Sequence, residues 1–106
     1  MKSIYLIKES ENNYYKIGVS KNIKQRVKQL QTGSAGDIQV LNSYKSEYAH
    51  KIEKALHRKY FQYNIKGEWF DLPDNIIESF KQDCIKYEEG FSIIYETSTL
   101  HNQNIH

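Results

Sequence analysis

Hydrophobic and polar residues alternate along three stretches of this chain. The alternation at residues 3–8, 14–19 and 38–45 predicts three β-strands. The polar residues 9–13 separate the first two strands, so we expect these two strands to form a hairpin. A fourth apolar stretch, residues 68–72, is too short for a helix and predicts a short strand or an extended segment.

Three other stretches repeat their apolar residues with a helical period. They predict helices over about 21–31, 47–62 and 75–88, with Ser20 as the N-cap of the first and Gly90 ending the third. The apolar stripes are Ile23, Val27 and Leu30 in the first helix, Ala49, Ile52 and Leu56 in the second, and Ile77, Phe80, Cys84 and Tyr87 in the third.

The order of these elements predicts one α/β (α+β) domain over residues 1–96. Its sheet would be small and mostly antiparallel, with about three strands flanked by helices. The polar residues 97–106 predict a flexible C-terminal tail. A chain of 106 residues is long enough for one modest hydrophobic core.

Composition is ordinary for a soluble globular protein, with 39% hydrophobic and 26% charged residues. The net charge of +2 is too small to indicate nucleic-acid binding by itself. The single cysteine, Cys84, cannot form an internal disulfide, and its place on an apolar stripe predicts a buried core residue. The sequence has no long apolar run and no signal-peptide pattern, so we expect a cytoplasmic protein without a membrane association.

The hairpin is the first candidate for chemistry. Pairing Ile4 with Ile17 gathers the apolar residues of both strands on one face and sets Tyr5 opposite Lys16, with Gly18 beside them. A nearby ammonium would lower the pKa of the Tyr5 phenol, which could then take a proton from an attacking water. The alternative is a Tyr–Lys pair that only stabilises the sheet surface.

The predicted helices add basic, acidic and imidazole groups. Arg26 lies closer to the apolar stripe of its helix than the neighbouring lysines, so its guanidinium could line a cleft and bind a phosphate. On the next helix His50, Glu53 and His57 share one flank, where a carboxylate with nearby imidazoles could hold a divalent metal. Solvent-exposed charge pairs explain the same spacing without a metal.

The order and spacing of these residues resemble the GIY-YIG endonuclease superfamily. Tyr5 matches the tyrosine of its first strand and Gly18 matches the glycine of its second motif. Arg26 and Glu53 match the arginine of the first helix and the metal-binding glutamate of the later helix. The second motif tyrosine falls on Lys16.

The chain is most similar to a phage- and bacteria-associated branch that reads Tyr-Lys-Ile-Gly, here residues 15–18. That branch also has a Glu-x-x-x-His pair, here Glu53 and His57, and a Gly-Glu-Trp-Phe segment, here residues 67–70. Ser3 replaces the glycine of the first motif, and Tyr15 stands one position before the expected second tyrosine.

The resemblance implies a metal-dependent endonuclease that hydrolyses DNA, with RNA as the alternative substrate. Glu53 would bind one Mg²⁺ or Mn²⁺ ion, and Arg26 would stabilise charge on the phosphoryl group. Tyr5 helped by Lys16, or else His57, would activate water, with Tyr15 a further catalytic candidate. The alternative is a nucleic-acid-binding or partner-binding module that has lost catalysis. A homodimer or an accessory DNA-binding partner could supply target choice.

Overall fold

The computed structural model describes the backbone of residues 1–105 and the side chains of residues 1–96. Antiparallel strands form one sheet in the order β3-β1-β2-β5-β4. The elements in chain order are β1 (Lys2–Glu9), β2 (Tyr14–Ser20), α1 (Ile23–Thr32), β3 (Ile38–Ser46), α2 (Ala49–Lys59), a 3-10 turn (Phe61–Tyr63), β4 (Asn64–Lys66), β5 (Trp69–Phe70) and α3 (Asp74–Ile105).

The predicted fold class is confirmed, and the sheet has five strands rather than the predicted three. The two extra strands are β4 and β5, which extend the sheet beyond β2. Gly67 joins them with a φ of 56°, in the left-handed region that glycine adopts without steric cost. Trp69 then pairs with Lys16, and Phe70 pairs with Tyr15. The sequence shows β5 only as a short apolar segment, because its strand character depends on a partner fifty residues away.

The hairpin forms as predicted, but the predicted register is wrong by two residues. Tyr5 lies opposite Gly18, and Lys16 lies opposite Ile7. Both registers place the same side chains on each face and leave a four-residue loop, so hydrophobic pattern alone does not distinguish them. The turn distinguishes the two registers. Asn13 has a φ of 55°, which asparagine tolerates, and the Glu9 carboxylate accepts hydrogen bonds from two backbone amides of the loop at 2.9 Å.

The hydrophobic core lies between one face of the sheet and helices α2 and α3. It consists of Ile4, Leu6, Tyr15, Ile17, Ala49, Ile52, Leu56, Tyr60, Phe70, Leu72, Phe80 and Cys84. Cys84 is buried as predicted, and burial raises the pKa of its thiol to about 12.

Polar contacts at Asp83 hold α2 against α3. The buried Asp83 carboxylate accepts hydrogen bonds from the Tyr60 hydroxyl and from the Lys59 ammonium, the latter at 3.0 Å. Both donors lie at the C-terminal end of α2, so these contacts fix where the helix sits over the sheet.

Helix α1 begins two residues later than Ser20 as N-cap predicts. Asn22 is its N-cap, and the Asn22 side chain accepts a hydrogen bond from the Gln25 amide at 3.1 Å. The Ser20 hydroxyl accepts from the Asn22 amide instead, at 3.0 Å.

Helix α3 is much longer than predicted, because it continues through Gly90. An aromatic row crosses this position: the rings of Tyr87 and Phe91 lie 6.3 Å apart, and Tyr48 packs on Phe91 at 6.2 Å. This packing outweighs the roughly 1 kcal/mol by which glycine is less favourable than alanine in a helix.

The side chains of the predicted tail, residues 97–106, lie outside the described part. Within the described residues, no helix combines the length and apolar character that crossing a bilayer requires.

The position of Gly90 within α3 leads to a prediction about stability. Gly90→Ala should raise the free energy of unfolding by about 0.5–1 kcal/mol, because alanine loses less backbone entropy on folding and a Cβ there meets nothing within 4 Å. Chemical denaturation measures the change. Gly67→Ala is the matched control and should destabilise the protein, since Gly67 has a positive φ. A loss of stability in Gly90→Ala would contradict the continuous helix.

Candidate metal centre and active site

Two carboxylates and one imidazole converge beside the core. Glu53 and His57 lie one turn apart on α2, and Glu68 lies just before β5. One ligand atom from each lies within 4.8 Å of the other two. All three side chains are half-buried, so the cluster is open to a substrate but partly shielded from water.

The two carboxylates destabilise each other when both are ionised. Burial raises the pKa of Glu53, and the negative charge of Glu68 raises it further, while His57 acts in the opposite direction. Like charges this close need a neutralising partner. A divalent cation would supply one at the place where the three ligand atoms converge.

His57 is held in an orientation suited to a metal ligand. Its Nε2 lies 2.9 Å from the carbonyl oxygen of Ile17. A carbonyl only accepts, so Nε2 carries the proton and the lone pair of a neutral ring lies on Nδ1. The ring edge also packs on Phe70, with centroids 5.0 Å apart. Metal-binding histidines commonly donate their other N–H to a backbone carbonyl in this way.

The short β5 strand makes the contact with His57 possible. Strand β5 pairs with Tyr15 and Lys16 only, so the sheet edge is open from Ile17 onward. The Ile17 amide still donates to the Glu68 carbonyl at 3.2 Å, which anchors Glu68 beside β2. His57 on α2 and Glu68 beside β5 therefore both contact the backbone of the same strand residue, Ile17.

Lys16 forms an ion pair with Glu68 rather than a pair with Tyr5. Its Nζ lies 2.9 Å from Glu68 Oε2 and 5.3 Å from the centroid of the Trp69 ring. The Lys16 side chain is only 8% exposed, and Glu68 is 40% exposed. The predicted direct Tyr5–Lys16 pairing is wrong because of the two-residue register difference. Lys16 instead orients one Glu68 oxygen, Oε2.

Tyr5 and Arg26 form the second half of the site. Burial raises the pKa of the Tyr5 phenol above 10, and a hydrogen bond from Arg26 together with its charge acts in the opposite direction. Glu68 and Glu53 add negative charge that raises the pKa further. The sequence interpretation expected Lys16 to lower this pKa. In the structure the neighbouring cation is Arg26 and the net direction is upward.

Gly18 provides the space that the Tyr5 ring occupies. A Cβ at position 18 would lie 2.6 Å from Tyr5 Cζ, far inside van der Waals contact. The absence of a side chain at position 18 therefore admits the Tyr5 ring.

Gly18→Ala should consequently displace Tyr5. We expect a loss of about 1–3 kcal/mol in the free energy of unfolding, the usual cost of overpacking a tight site. Denaturant titration tests this, with Gly33→Ala as the control because a Cβ there meets nothing within 4 Å. Equal stabilities of the two variants would contradict the tight Tyr5–Gly18 contact.

A family model matches residues 2–86, which include every residue of this site, and its description is the T5orf172 domain. The chain belongs to the T5orf172 domain family. Membership of this family is compatible with nuclease activity or DNA binding. A curated viral relative is the putative KilA-N domain-containing protein 315L of Invertebrate iridescent virus 6, which is 30% identical over 90 residues. That alignment covers 76% of this chain but only 39% of the viral protein, and no solved structure matches the chain.

The T5orf172 domain brings most, but not all, of the predicted site residues together. Tyr5, Lys16, Arg26, Glu53 and His57 lie around the cluster.

Two predicted side chains lie elsewhere. Tyr15 is on the opposite face of β2 from Lys16 and is buried in the core. His50 shares its flank with Glu53, but it contacts Lys2 Nζ at 2.9 Å instead of joining the cluster. The sequence analysis did not identify Glu68 as a site residue. The sequence feature that could have indicated it is the turn at Gly67, which comes immediately before a strand.

The donor set of this T5orf172 domain fits a divalent cation. Mg²⁺ and Mn²⁺ bind oxygen ligands at about 2.0–2.2 Å, so opposite ligands lie about 4.2 Å apart and the three side chains need only small adjustments. Two carboxylates suit either ion, and the imidazole favours Mn²⁺ over Mg²⁺.

Proposed function

We propose that this T5orf172 domain is a metal-dependent endonuclease that hydrolyses DNA phosphodiester bonds. The observation that carries the proposal is the convergence of Glu53, His57 and Glu68 within 4.8 Å of one another, with Arg26 beside Tyr5 at the same place. Three metal-binding side chains, a fixed guanidinium and a buried phenol form a set suited to phosphoryl transfer. Family membership is compatible with a nuclease.

Glu53, Glu68 and the Nδ1 atom of His57 would hold the metal. When bound, the ion would stabilise negative charge on a phosphate oxygen and on the leaving oxygen. Lys16 would keep one Glu68 oxygen in place, so that this carboxylate reaches the cluster in a fixed orientation.

Arg26 would bind the scissile phosphate through its planar guanidinium, which carries a charge at every physiological pH. Its charge lies close enough to Tyr5 to lower the pKa of the phenol, so a phosphate bound to Arg26 would lie near Tyr5.

Tyr5 is the proposed acceptor of the proton from the attacking water. His57 was the alternative, but its Nε2 proton is committed to the Ile17 carbonyl, and Nδ1 is the one ring nitrogen left to bind the metal. The charges of Glu53 and Glu68 raise the pKa of Tyr5. A cation that neutralises these carboxylates would lower this pKa and so increase the fraction of phenolate, which is the form of Tyr5 that can accept a proton from water.

A second candidate function is nucleic-acid binding without cleavage. The Lys16–Glu68 ion pair favours it, because Lys16 competes with a metal for the Glu68 carboxylate. Lys16 also stands at the position where the GIY-YIG superfamily, which the sequence resembles, carries a tyrosine. This alternative predicts salt-dependent binding with no hydrolysis.

A cleavage assay separates the two candidates. Purified protein is incubated with labelled single-stranded, duplex and branched DNA, and with RNA, in Mn²⁺, in Mg²⁺ and in a chelator. The nuclease proposal predicts metal-dependent cutting of at least one DNA form, faster in Mn²⁺. Binding to these substrates without cutting in either metal would favour the binding module.

A further inference from the structure

A basic cavity of about 610 Å³ lies at one end of the sheet, apart from the metal cluster. Strand β1 begins there while β2 and β3 end there, since Lys2 pairs with Ser46 and Ser3 pairs with Ser20. Helix α2 starts immediately after β3. The cavity is lined by Met1, Lys2, Lys21, Ser46, Glu47, Tyr48, Ala49, His50 and Lys51.

The side chains of this cavity carry an excess of positive charge. Lys2, Lys21 and Lys51 supply three ammonium groups, and Glu47 supplies one carboxylate. Lys2 Nζ lies 2.9 Å from His50 Nε2. An ammonium only donates, so Nε2 accepts this bond, and Lys2 keeps two further N–H donors. An anion in the cavity would meet donors from three separate elements of the fold.

The first turn of α2 forms part of the same wall. Its residues Ala49, His50 and Lys51 include no acidic side chain, and the N-cap residue Tyr48 makes no side-chain capping bond among the described residues. The positive end of the α2 dipole therefore also favours an anion at this wall. This contribution adds to the lysines and does not replace them.

The cavity lies one helical turn from the metal cluster. His50 precedes Glu53 by three residues on α2, a rise of about 4.5 Å along the helix axis. Phosphates of one nucleic-acid strand repeat about every 3.4 Å along a duplex axis. A strand whose scissile phosphate lies at Glu53 would thus bring a neighbouring phosphate toward His50, on the same flank of α2, and toward the Lys2 ammonium that contacts it.

We propose that this cavity is a subsite for a non-scissile phosphate of the nucleic-acid strand that the metal centre cuts. The assignment rests on the proposed function for the identity of the strand. The subsite would position the strand without taking part in the chemistry, so it would act on binding in the absence of metal.

Binding in a chelator tests the subsite separately from cleavage. A short fluorescent oligothymidylate is titrated with wild type, with the double variant Lys2→Gln/Lys51→Gln, and with the control Lys81→Gln/Lys86→Gln, whose lysines are exposed on α3. Losing one phosphate contact should weaken binding several-fold at low salt and reduce the slope of log affinity against log salt by about 0.7. The control should match wild type. A wild-type slope in the Lys2/Lys51 variant would overturn the proposal.

Amide NMR spectra provide a second measurement that does not depend on a variant. Adding inorganic phosphate or the oligothymidylate should shift the amide signals of residues 46–51. Shifts with phosphate but none with the oligonucleotide would overturn the assignment to a nucleic-acid strand. If the salt slope of wild-type binding depends on Lys2 and Lys51 but wild type cuts no substrate, the result would support the subsite and contradict the proposed nuclease. If cutting and binding are both unchanged in the Lys2/Lys51 variant, the subsite proposal would be wrong and the proposed nuclease would be unaffected.

Discussion

Glu53→Gln should abolish DNA cleavage while leaving the fold intact. The substitution keeps the size of the side chain but removes the charge that a metal ligand needs. A bound metal contributes several kcal/mol of transition-state stabilisation. At 1.36 kcal/mol for each factor of ten, we expect cleavage to fall by at least about 1,000-fold. Initial rates under saturating Mn²⁺ measure the loss.

The metal-free stability of the same variant provides a separate check. Burial and the charge of Glu68 both raise the pKa of Glu53, so the ionised carboxylate is unfavourable in the empty site. Neutral glutamine should therefore leave the free energy of unfolding at or above the wild-type value. Glu78→Gln, an exposed change on α3, is the control and should keep full activity. Near-normal cutting by Glu53→Gln would remove the metal centre from the mechanism.

Arg26→Ala should reduce the cleavage rate by about 100- to 1,000-fold, the usual cost of removing one preorganised group that stabilises developing charge. The loss should appear in kcat as well as in KM, because the proposal has Arg26 bind the phosphate and its charge acts on Tyr5. Arg26→Lys should recover only part of the rate, since an ammonium cannot make the same planar contact. Single-turnover kinetics separate binding from the chemical step.

Metal affinity distinguishes the role of Arg26 from a structural role. The Arg26→Ala protein should bind Mn²⁺ as tightly as wild type, because Arg26 is not one of the three clustered ligands. Lys28→Ala, two residues further along α1 and exposed, should keep the wild-type rate. Equal losses in the Arg26 and Lys28 variants would indicate a general effect of positive charge on α1.

Local patterns in the sequence predict most of the fold. The alternation in β1, β2 and β3 and the helical stripes identify these elements, because burial of one face imposes that period on each. The hairpin register and the length of α3 depend instead on turn conformation and on the packing of particular side chains. The left-handed Asn13 sets the turn, and the stack of Tyr87 and Phe91 carries α3 through Gly90. Neither has a periodic signature.

The site was predictable to the extent that its residues share one element or one motif. Glu53 and His57 are separated by one helical turn, so their proximity follows from α2 alone. Glu68 could not be placed in the same way, because it reaches the cluster only through the pairing of β5 with β2. The ion pair between Lys16 and Glu68 joins residues that are 52 positions apart in sequence. Such contacts follow from strand order, which the pattern of apolar residues does not specify.

Titration with Mn²⁺, followed by electron paramagnetic resonance and by cleavage rate in the same samples, tests the metal centre most directly. We predict one bound ion per chain, a cleavage rate that rises in step with its occupancy, and loss of both signals in Glu53→Gln. Cleavage that does not depend on Mn²⁺ occupancy, or one tightly bound ion that Glu53→Gln retains, would contradict a metal-dependent nuclease centred on Glu53, His57 and Glu68.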